Sequence, residues 1–157
     1  IIHQDAEGKE QSLVERYVLW DRALNVILAR PLLGTGINTY VRSYPEFDKT
    51  QSWRVKYYYA HNSYLQLAAE RGIPALLFFL GFVVCFFARA LRAVRKTHDP
   101  DVQSLLRGVL AALVGLLFFA LVDTAFEPMQ TGLQYWFLFA IGARAMSLAG
   151  EREAVPA

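Results

Sequence analysis

The chain of 157 residues has one cysteine, a net charge of only +2, and no charged residue in its three most apolar stretches. The single cysteine excludes an internal disulfide framework and a cysteine-rich metal site. With 16 Lys and Arg against 14 Asp and Glu, and no basic stripe carrying base-stacking aromatics, the composition is not that of a nucleic-acid-binding protein. What the sequence does contain is apolar side chains, which make up 55% of it.

The three uncharged stretches are rich in Leu, Phe, Val, Ala and Gly and cover residues 73–88, 108–122 and 133–143. A soluble domain of this size has too little core to bury three such segments on all sides. Each stretch is short, since 16 residues of helix cover about 24 Å of a roughly 30 Å hydrocarbon core, but flanking arginines can reach the interface. We therefore predict an all-α fold, a multi-pass transmembrane helical bundle, with spans at about 73–91, 107–123 and 129–146.

The loops between these spans differ in charge, which predicts their orientation. Residues 89–107 hold five Lys or Arg, whereas residues 123–127 hold two acidic residues and no basic one. The positive-inside rule places the first loop in the cytoplasm and the second outside. It follows that residues 1–60 form an extracytoplasmic loop region, that residues 61–149 hold the transmembrane helices, and that residues 150–157 form a disordered cytoplasmic tail.

The second span carries a stripe of small side chains at helical spacing. Its members are Gly108, Ala111, Ala112 and Gly115. Small residues let helix backbones approach closely in lipid, so the stripe predicts packing against a neighbouring helix.

The outer region begins with a helix signal. Ser12 and Glu15 have the spacing of a capping box, and apolar residues then recur at helical spacing as far as Pro31. The pattern predicts an amphipathic helix over residues 13–29, lying on or near the membrane surface. Three of its four charged residues are interpreted as a solvated face: Glu15, Asp21 and Arg22.

The rest of the outer region has weaker signals. Gly34-Thr-Gly36 has no preceding strand and no third glycine, so it predicts a tight turn rather than a phosphate-binding loop. Residues 38–48 are expected to form a short helix that breaks at Pro45. The aromatic and basic strip 53–59 has two open interpretations, an interfacial belt or a surface that holds sugar rings and phosphates.

His61 is the one histidine of three that lies in the outer region among aromatic residues. It precedes a helical run over residues 62–71, which Gly72 ends. A histidine there can exchange a proton near neutral pH, although on its own a structural role is the more common one. Glu70 and Arg71 are interpreted as a local ion pair or as groups that face lipid headgroups.

Two segments, Arg30-Pro-Leu-Leu-Gly-Thr-Gly36 and Ala60-His-Asn-Ser-Tyr-Leu-Gln-Leu-Ala-Ala-Glu-Arg-Gly-Ile73, resemble the bacterial O-antigen ligase and polysaccharide polymerase family. The family's mark is His-Asn, nine residues, and then Gly, which His61-Asn62 and Gly72 match. Three positions further the family has Gly, Thr or Tyr, and here Ala75 departs from that pattern while staying small. The resemblance covers roughly residues 12–143.

The resemblance implies a membrane glycosyltransferase that is inverting, independent of metal and without a cofactor. The implied donor is a glycan linked to undecaprenyl diphosphate, on the periplasmic face of the bacterial inner membrane. The implied acceptor is a hydroxyl of a growing glycan, of a lipid such as lipid A-core, or of a protein. Besides these substrates, the implied surroundings are the lipid bilayer and further transmembrane helices of a longer chain, with no nucleic acid.

The resemblance also implies roles for individual residues. His61 is the group that removes or orients the proton of the acceptor hydroxyl, and Arg16 is the cation that faces the departing diphosphate. The implied substrate-binding residues are Arg42, Arg54, Asn62 and Tyr59. Arg42 and Arg54 are alternative second phosphate ligands.

Two non-enzymatic interpretations stay open. A solute transporter places polar or ionisable residues at mid-membrane, where these spans offer only Gln134. A partner-docking subunit would depend on the aromatic strip at Tyr57–Tyr59 and not on His61. The chain starts with Ile1 and has no signal-peptide pattern, so we expect a fragment that begins inside a loop of a longer protein.

Overall fold

The fold is all-α, as the sequence predicts. The computed structural model describes residues 2–48, 59–126 and 129–153, and these ranges contain helices and no strand. The helices are α1 (Ile2–Ala29), α2 (Tyr40–Phe47), α3 (Ser63–Lys96), α4 (Pro100–Phe119) and α5 (Met129–Glu153). They divide between two units: Ile1–Leu77 with Ala120–Thr124, and Phe78–Phe119 with Ala125–Ala157.

The core of the first unit is built by α1, α2 and the beginning of α3. Its buried members are Ala23, Val26, Ile27, Tyr40, Tyr44, Ala60, Ala68 and Ala69. Half of them are alanines, and the two tyrosines of α2 supply the largest apolar side chains. The phenol of Tyr40 donates a hydrogen bond to the carbonyl of Leu19 at 3.0 Å, which joins α2 to α1. Burial raises the pKa of this phenol well above its ordinary value.

Arg22 is part of this core, and its assignment to a solvated face is wrong. Its side chain is 1% exposed, and its guanidinium lies 2.7 Å from the Asp48 carboxylate and 4.9 Å from the centre of the Tyr44 ring. Helical periodicity placed Arg22 beside other polar residues, but a carboxylate and an aromatic face allow a buried guanidinium.

Two elements of the outer region differ in extent from their predictions. Helix α1 begins at Ile2, so Ser12 lies in its interior and does not cap it. The capping-box spacing is short and also occurs inside helices, and nothing between Ile2 and Ser12 forces a break. Helix α2 runs through Pro45 rather than breaking there. Pro45 lies near the end of this short helix, where little of the hydrogen-bonding ladder is left to interrupt.

Helix α3 consists of two helical segments that meet at Gly72. The backbone of Gly72 has φ +84°, a left-handed conformation that only glycine adopts without strain. A Cβ atom at this position would lie 2.1 Å from the carbonyl oxygen of Leu32. The break therefore lies where the sequence predicts it, and Pro74 follows in the first turn of the next segment, which needs no amide hydrogen there.

In the second unit, α4 packs on α5 through one apolar face. Asp99 caps α4, because its carboxylate accepts the amides of Asp101 and Val102 at 2.9 and 3.1 Å. The buried residues of α4 recur at helical spacing: Val102, Leu106, Val109, Leu110 and Leu113.

The stripe of small residues on α4 lies on another face of that helix. All four members are exposed, and a Cβ at Gly108 or Gly115 would meet no atom within 4 Å. The described chain therefore holds no group in close contact with these two glycines, and packing through the stripe stays a prediction. A close approach of helices is made elsewhere. It involves Gly142 of α5, where a Cβ would lie 2.5 Å from the ring of Phe86.

Two helices in the described ranges, α3 and α4, are long and apolar enough to cross a membrane. Helix α5 is long enough but includes Gln134 and Arg144, so its crossing stays a prediction. It also continues to Glu153, which overlaps the tail predicted to be disordered from residue 150. Arg144 pairs with Glu151 at 2.8 Å two helical turns later, and the hydrogen bond from Arg144 lowers the pKa of the Glu151 carboxyl.

Candidate active site

The side chains of His61 and Asp123 meet in the first unit. Their Nδ1 and Oδ1 atoms are 3.0 Å apart, and the two side chains remain 35% and 40% exposed. The same carboxylate oxygen accepts the amide hydrogen of Thr124 at 2.7 Å, which holds the Asp123 side chain against its own loop. The pair is thus fixed on one side and open to solvent on the other.

The backbone at His61 is itself unusual. Its φ is +45°, a left-handed conformation that costs a residue with a side chain about 1–2 kcal/mol. The next residue, Asn62, caps the following helix, since its Oδ1 accepts the amides of Tyr64 and Leu65, each at 3.0 Å. The chain therefore turns sharply at His61 and enters α3 directly afterwards.

The loop that carries Asp123 is attached to the same helix end. Ser63 donates its amide to the carbonyl of Ala120 at 2.9 Å and its hydroxyl to the carbonyl of Asp123 at 3.0 Å. The Asn62 amide nitrogen donates to the carbonyl of Leu121 at 3.0 Å. Both polar atoms of Asn62 thus serve the protein's own backbone, and its predicted contact with substrate stays untested.

This arrangement sets which ring nitrogen of His61 can react. An ionised carboxylate only accepts hydrogen bonds, so in the neutral ring Nδ1 carries the hydrogen that faces Asp123. Nε2 then has its lone pair available for a proton. A histidine that is oriented by a carboxylate and partly exposed can act as a general base toward a hydroxyl group.

The Gly34-Thr-Gly36 segment is a turn, as predicted. It contacts the first segment of α3 close to the break at Gly72. The amides of Thr35 and Gly36 donate to the carbonyls of Ala69 and Glu70 at 3.0 and 2.8 Å. Gly34 has φ +66°, and a Cβ there would lie 2.3 Å from the backbone of Glu70. The two motifs that carry the family resemblance are therefore in direct contact.

The buried side chain of Glu70 stabilises this contact. The prediction that Glu70 forms a local ion pair or faces lipid headgroups is wrong. The side chain is 1% exposed. Its two carboxylate oxygens accept the backbone amides of Asn38, at 2.7 Å, and Tyr40, at 3.1 Å. An amphipathic pattern cannot distinguish a solvated carboxylate from one that binds backbone amides of a distant loop. Its neighbour Arg71 is exposed.

The structure describes two of the three arginines that were predicted to contact phosphate. Arg16 is half-buried on α1 and Arg42 is exposed on α2, and neither takes part in an ion pair within the described ranges. Tyr59 is 43% exposed, close to His61 in the chain. Arg54 lies outside the described residues, as does most of the aromatic strip. No group of three or more His, Cys, Asp or Glu side chains that could hold a metal occurs in the described ranges.

Sequence reasoning missed the partner of His61 and the buried residues behind it. The one available signal for Asp123 was its position in the acidic loop 123–127, which charge asymmetry placed on the same side of the membrane as His61. No sequence signal separates Gln66, which is completely buried, from the other polar residues of the 62–71 run.

Comparisons with known proteins place both motifs in a known family. Residues 1–80 match a family model described as O-Antigen ligase. The matched range includes both motifs and His61. The chain is also similar to the Exopolysaccharide production protein ExoQ of Rhizobium meliloti (strain 1021), at 28% identity over 116 residues. That match covers 69% of this chain and 26% of the relative, so the chain spans only about a quarter of the relative's length.

Proposed function

The chain belongs to the O-antigen ligase family, and we propose that it carries the acceptor-activating histidine of a membrane glycan ligase or polymerase. The proposal rests on the His61–Asp123 pair, in which Nδ1 and Oδ1 are 3.0 Å apart. The backbone of His61 is held in a strained conformation. Strain of this kind persists only where the surrounding structure holds it, and it is concentrated at functional sites.

In the proposed reaction, Nε2 of His61 accepts the proton of an acceptor hydroxyl while Asp123 stabilises the positive charge on the ring. The hydroxyl oxygen forms a bond to the anomeric carbon of the donor glycan. The bond between that carbon and the diphosphate oxygen breaks, and undecaprenyl diphosphate leaves with the electron pair. In a single displacement the acceptor oxygen enters opposite the departing diphosphate. The configuration at the anomeric carbon therefore inverts.

The departing diphosphate needs positive charge, since charge accumulates on its oxygens as the bond breaks. We assign Arg16 to this role and keep Arg42 and Arg54 as alternatives for a second contact. A guanidinium suits the task because it stays charged and presents a planar set of donors to phosphate oxygens. Tyr59 is proposed to contact the glycan. No step of this scheme requires a metal or a cofactor.

The proposed site faces the periplasm at the inner membrane, where lipid-linked glycans would reach it from the bilayer. Support for this placement comes from the basic loop 89–107, which the positive-inside rule assigns to the cytoplasm. The acceptor is a glycan, lipid or protein hydroxyl, and its identity decides between ligase and polymerase.

The test uses the full-length protein in its own host, with the gene deleted and then restored as wild type or as a variant. We choose His61→Asn, because asparagine tolerates positive φ better than most residues, together with His61→Ala. His98→Ala is the matched control, since His98 is an exposed residue after α3. Surface polysaccharide and the lipid-linked glycan pool are both measured, along with the amount of protein in the membrane.

We expect both His61 variants to accumulate in the membrane without transferring glycan, and His98→Ala to match the wild type. Bare acceptors with a growing pool of long lipid-linked chains identify a ligase, and acceptors that carry one repeat identify a polymerase. Normal transfer by His61→Asn would overturn the proposal and favour a transporter or a docking subunit.

A further inference from the structure

Gln66 is a completely buried polar residue one turn after His61, and both ends of its amide are used. Its Oε1 accepts the amide hydrogen of Ala60 at 3.3 Å and the hydroxyl of Thr124 at 3.4 Å. Its Nε2 donates to Oε1 of Glu70 at 3.4 Å. The buried Gln66 amide therefore makes three side-chain hydrogen bonds.

The two groups that share Oε1 flank the proposed reacting pair. Ala60 immediately precedes His61, and Thr124 immediately follows Asp123 and donates its own amide to the Asp123 carboxylate. One oxygen atom therefore connects the chain before the histidine to the chain after the aspartate. These segments lie about sixty residues apart in sequence, and this shared oxygen is one of the contacts that fix them relative to each other, beside those of Asn62 and Ser63.

Glu70 determines which way the Gln66 amide points. A carboxylate only accepts, so it selects the NH₂ end of the amide and leaves the carbonyl oxygen facing Ala60 and Thr124. The carboxylate cannot turn away, since its oxygens also accept the amides of Asn38 and Tyr40. A continuous hydrogen-bonded path thus runs from the Gly34-Thr-Gly36 turn region through Glu70 and Gln66 to the His61–Asp123 pair.

We propose that Gln66 is a positioning residue for the His61–Asp123 pair, with its orientation set by Glu70. This inference rests on the proposed function of His61. Without the Gln66 oxygen, Ala60 and Thr124 lose a shared acceptor, so the distance between the histidine ring and the carboxylate is held less firmly. The consequence is a slower chemical step with unchanged binding of the lipid-linked donor.

The test measures kcat and KM of purified full-length protein, with the lipid-linked glycan that accumulates in the deletion strain as donor. Gln66→Leu keeps a similar volume and removes all three hydrogen bonds. Thr124→Val removes only one of them and leaves the buried core intact. Gln103→Leu is the matched control, because the Gln103 amide donates a side-chain hydrogen bond too, to the carbonyl of Val94 at 2.9 Å, but makes none of the hydrogen bonds described around the pair.

We expect Gln66→Leu to lower kcat roughly 10- to 100-fold, by analogy with the loss of a hydrogen-bonded partner behind a metal-binding histidine, with the KM for donor nearly unchanged. Thr124→Val lowers kcat by less, and Gln103→Leu has the wild-type kcat. In an Asp123→Asn background, Gln66→Leu has little further effect, since both substitutions disturb the same interaction.

A role limited to core packing gives a different result. In that case Gln66→Leu lowers the amount or thermal stability of the protein, and its effect on kcat multiplies with that of Asp123→Asn. If Gln66→Leu does not accumulate, Thr124→Val decides, and an unchanged kcat for it overturns the inference. Full activity of His61→Asn would contradict the proposed function itself. An inactive His61→Asn together with a fully active Gln66→Leu would contradict this inference alone.

Discussion

His61 and Asp123 are 62 residues apart in sequence, and their side chains meet at 3.0 Å. The contact joins the residue before α3 to the loop after α4, and Ser63 and Asn62 attach that loop to the same helix end through backbone carbonyls. The His61 ring is thereby held in one orientation, with one ring nitrogen directed at a carboxylate.

Replacing Asp123 by Asn is expected to lower kcat roughly 10- to 100-fold, with little change in the KM for donor. The amide keeps the size of the side chain but removes the charge that stabilises a protonated His61 ring. Steady-state kinetics of the full-length protein measure the effect. Asp101→Asn, an exposed substitution in the first turn of α4, is the control and leaves kcat unchanged. An Asp123→Asn enzyme with wild-type kcat would show that the carboxylate is dispensable.

Replacing Gly72 by Ala is expected to destabilise the protein by more than about 1–2 kcal/mol, which is the cost of the left-handed backbone alone. The added Cβ would also lie 2.1 Å from the Leu32 carbonyl oxygen, so the turn must move. The melting temperature in detergent and the amount of protein in the membrane report the loss. Gly81→Ala is the matched control, because a Cβ there meets nothing within 4 Å. Equal stability of the two variants would contradict the structure at Gly72.

Replacing Glu70 by Leu is expected to destabilise the protein by about 1–3 kcal/mol for each backbone amide left without its acceptor. Two amides, those of Asn38 and Tyr40, lose their partner. Glu70→Gln retains one acceptor oxygen and is expected to be less destabilising. Thermal unfolding compares the two, and Glu151→Gln serves as an exposed control on α5. A Glu70→Leu protein as stable as the wild type would exclude a buried role for this carboxylate.

Replacing Arg22 by Met is expected to destabilise the protein by about 3–5 kcal/mol, because the Asp48 carboxylate loses its buried counter-charge. The double variant Arg22→Met with Asp48→Asn is expected to recover part of that loss, since neither charge then remains. Thermal unfolding of the two single variants and the double variant measures the coupling. Strictly additive effects would mean that the two side chains do not interact in the folded protein.

Local sequence patterns predicted much of the helical architecture. The break at Gly72 followed from a glycine followed closely by a proline, and the turn at Gly34-Thr-Gly36 followed from the glycine spacing. These features depend on backbone sterics within a few residues, which a sequence displays directly. The importance of His61 came from its neighbours in the chain together with the family resemblance, and not from periodicity.

Patterns were less informative about which face of a helix is covered. Arg22 was expected in solvent and is buried. Periodicity shows that a helix has two faces, but the partner that covers a face comes from elsewhere in the chain. An arginine becomes a core residue only where a carboxylate and an aromatic ring are brought to it.

The sequence by itself determined that this protein is helical, that its most apolar helices follow a less apolar N-terminal region, and that His61 precedes a helical segment which Gly72 ends. Each of these depends on composition or on contacts within a few residues. Only the tertiary structure decided that Asp123 faces His61, that Gln66 lies behind both, and that Glu70 holds a loop more than thirty residues away. Such contacts depend on the path of the chain between distant segments, and local spacing does not contain that path.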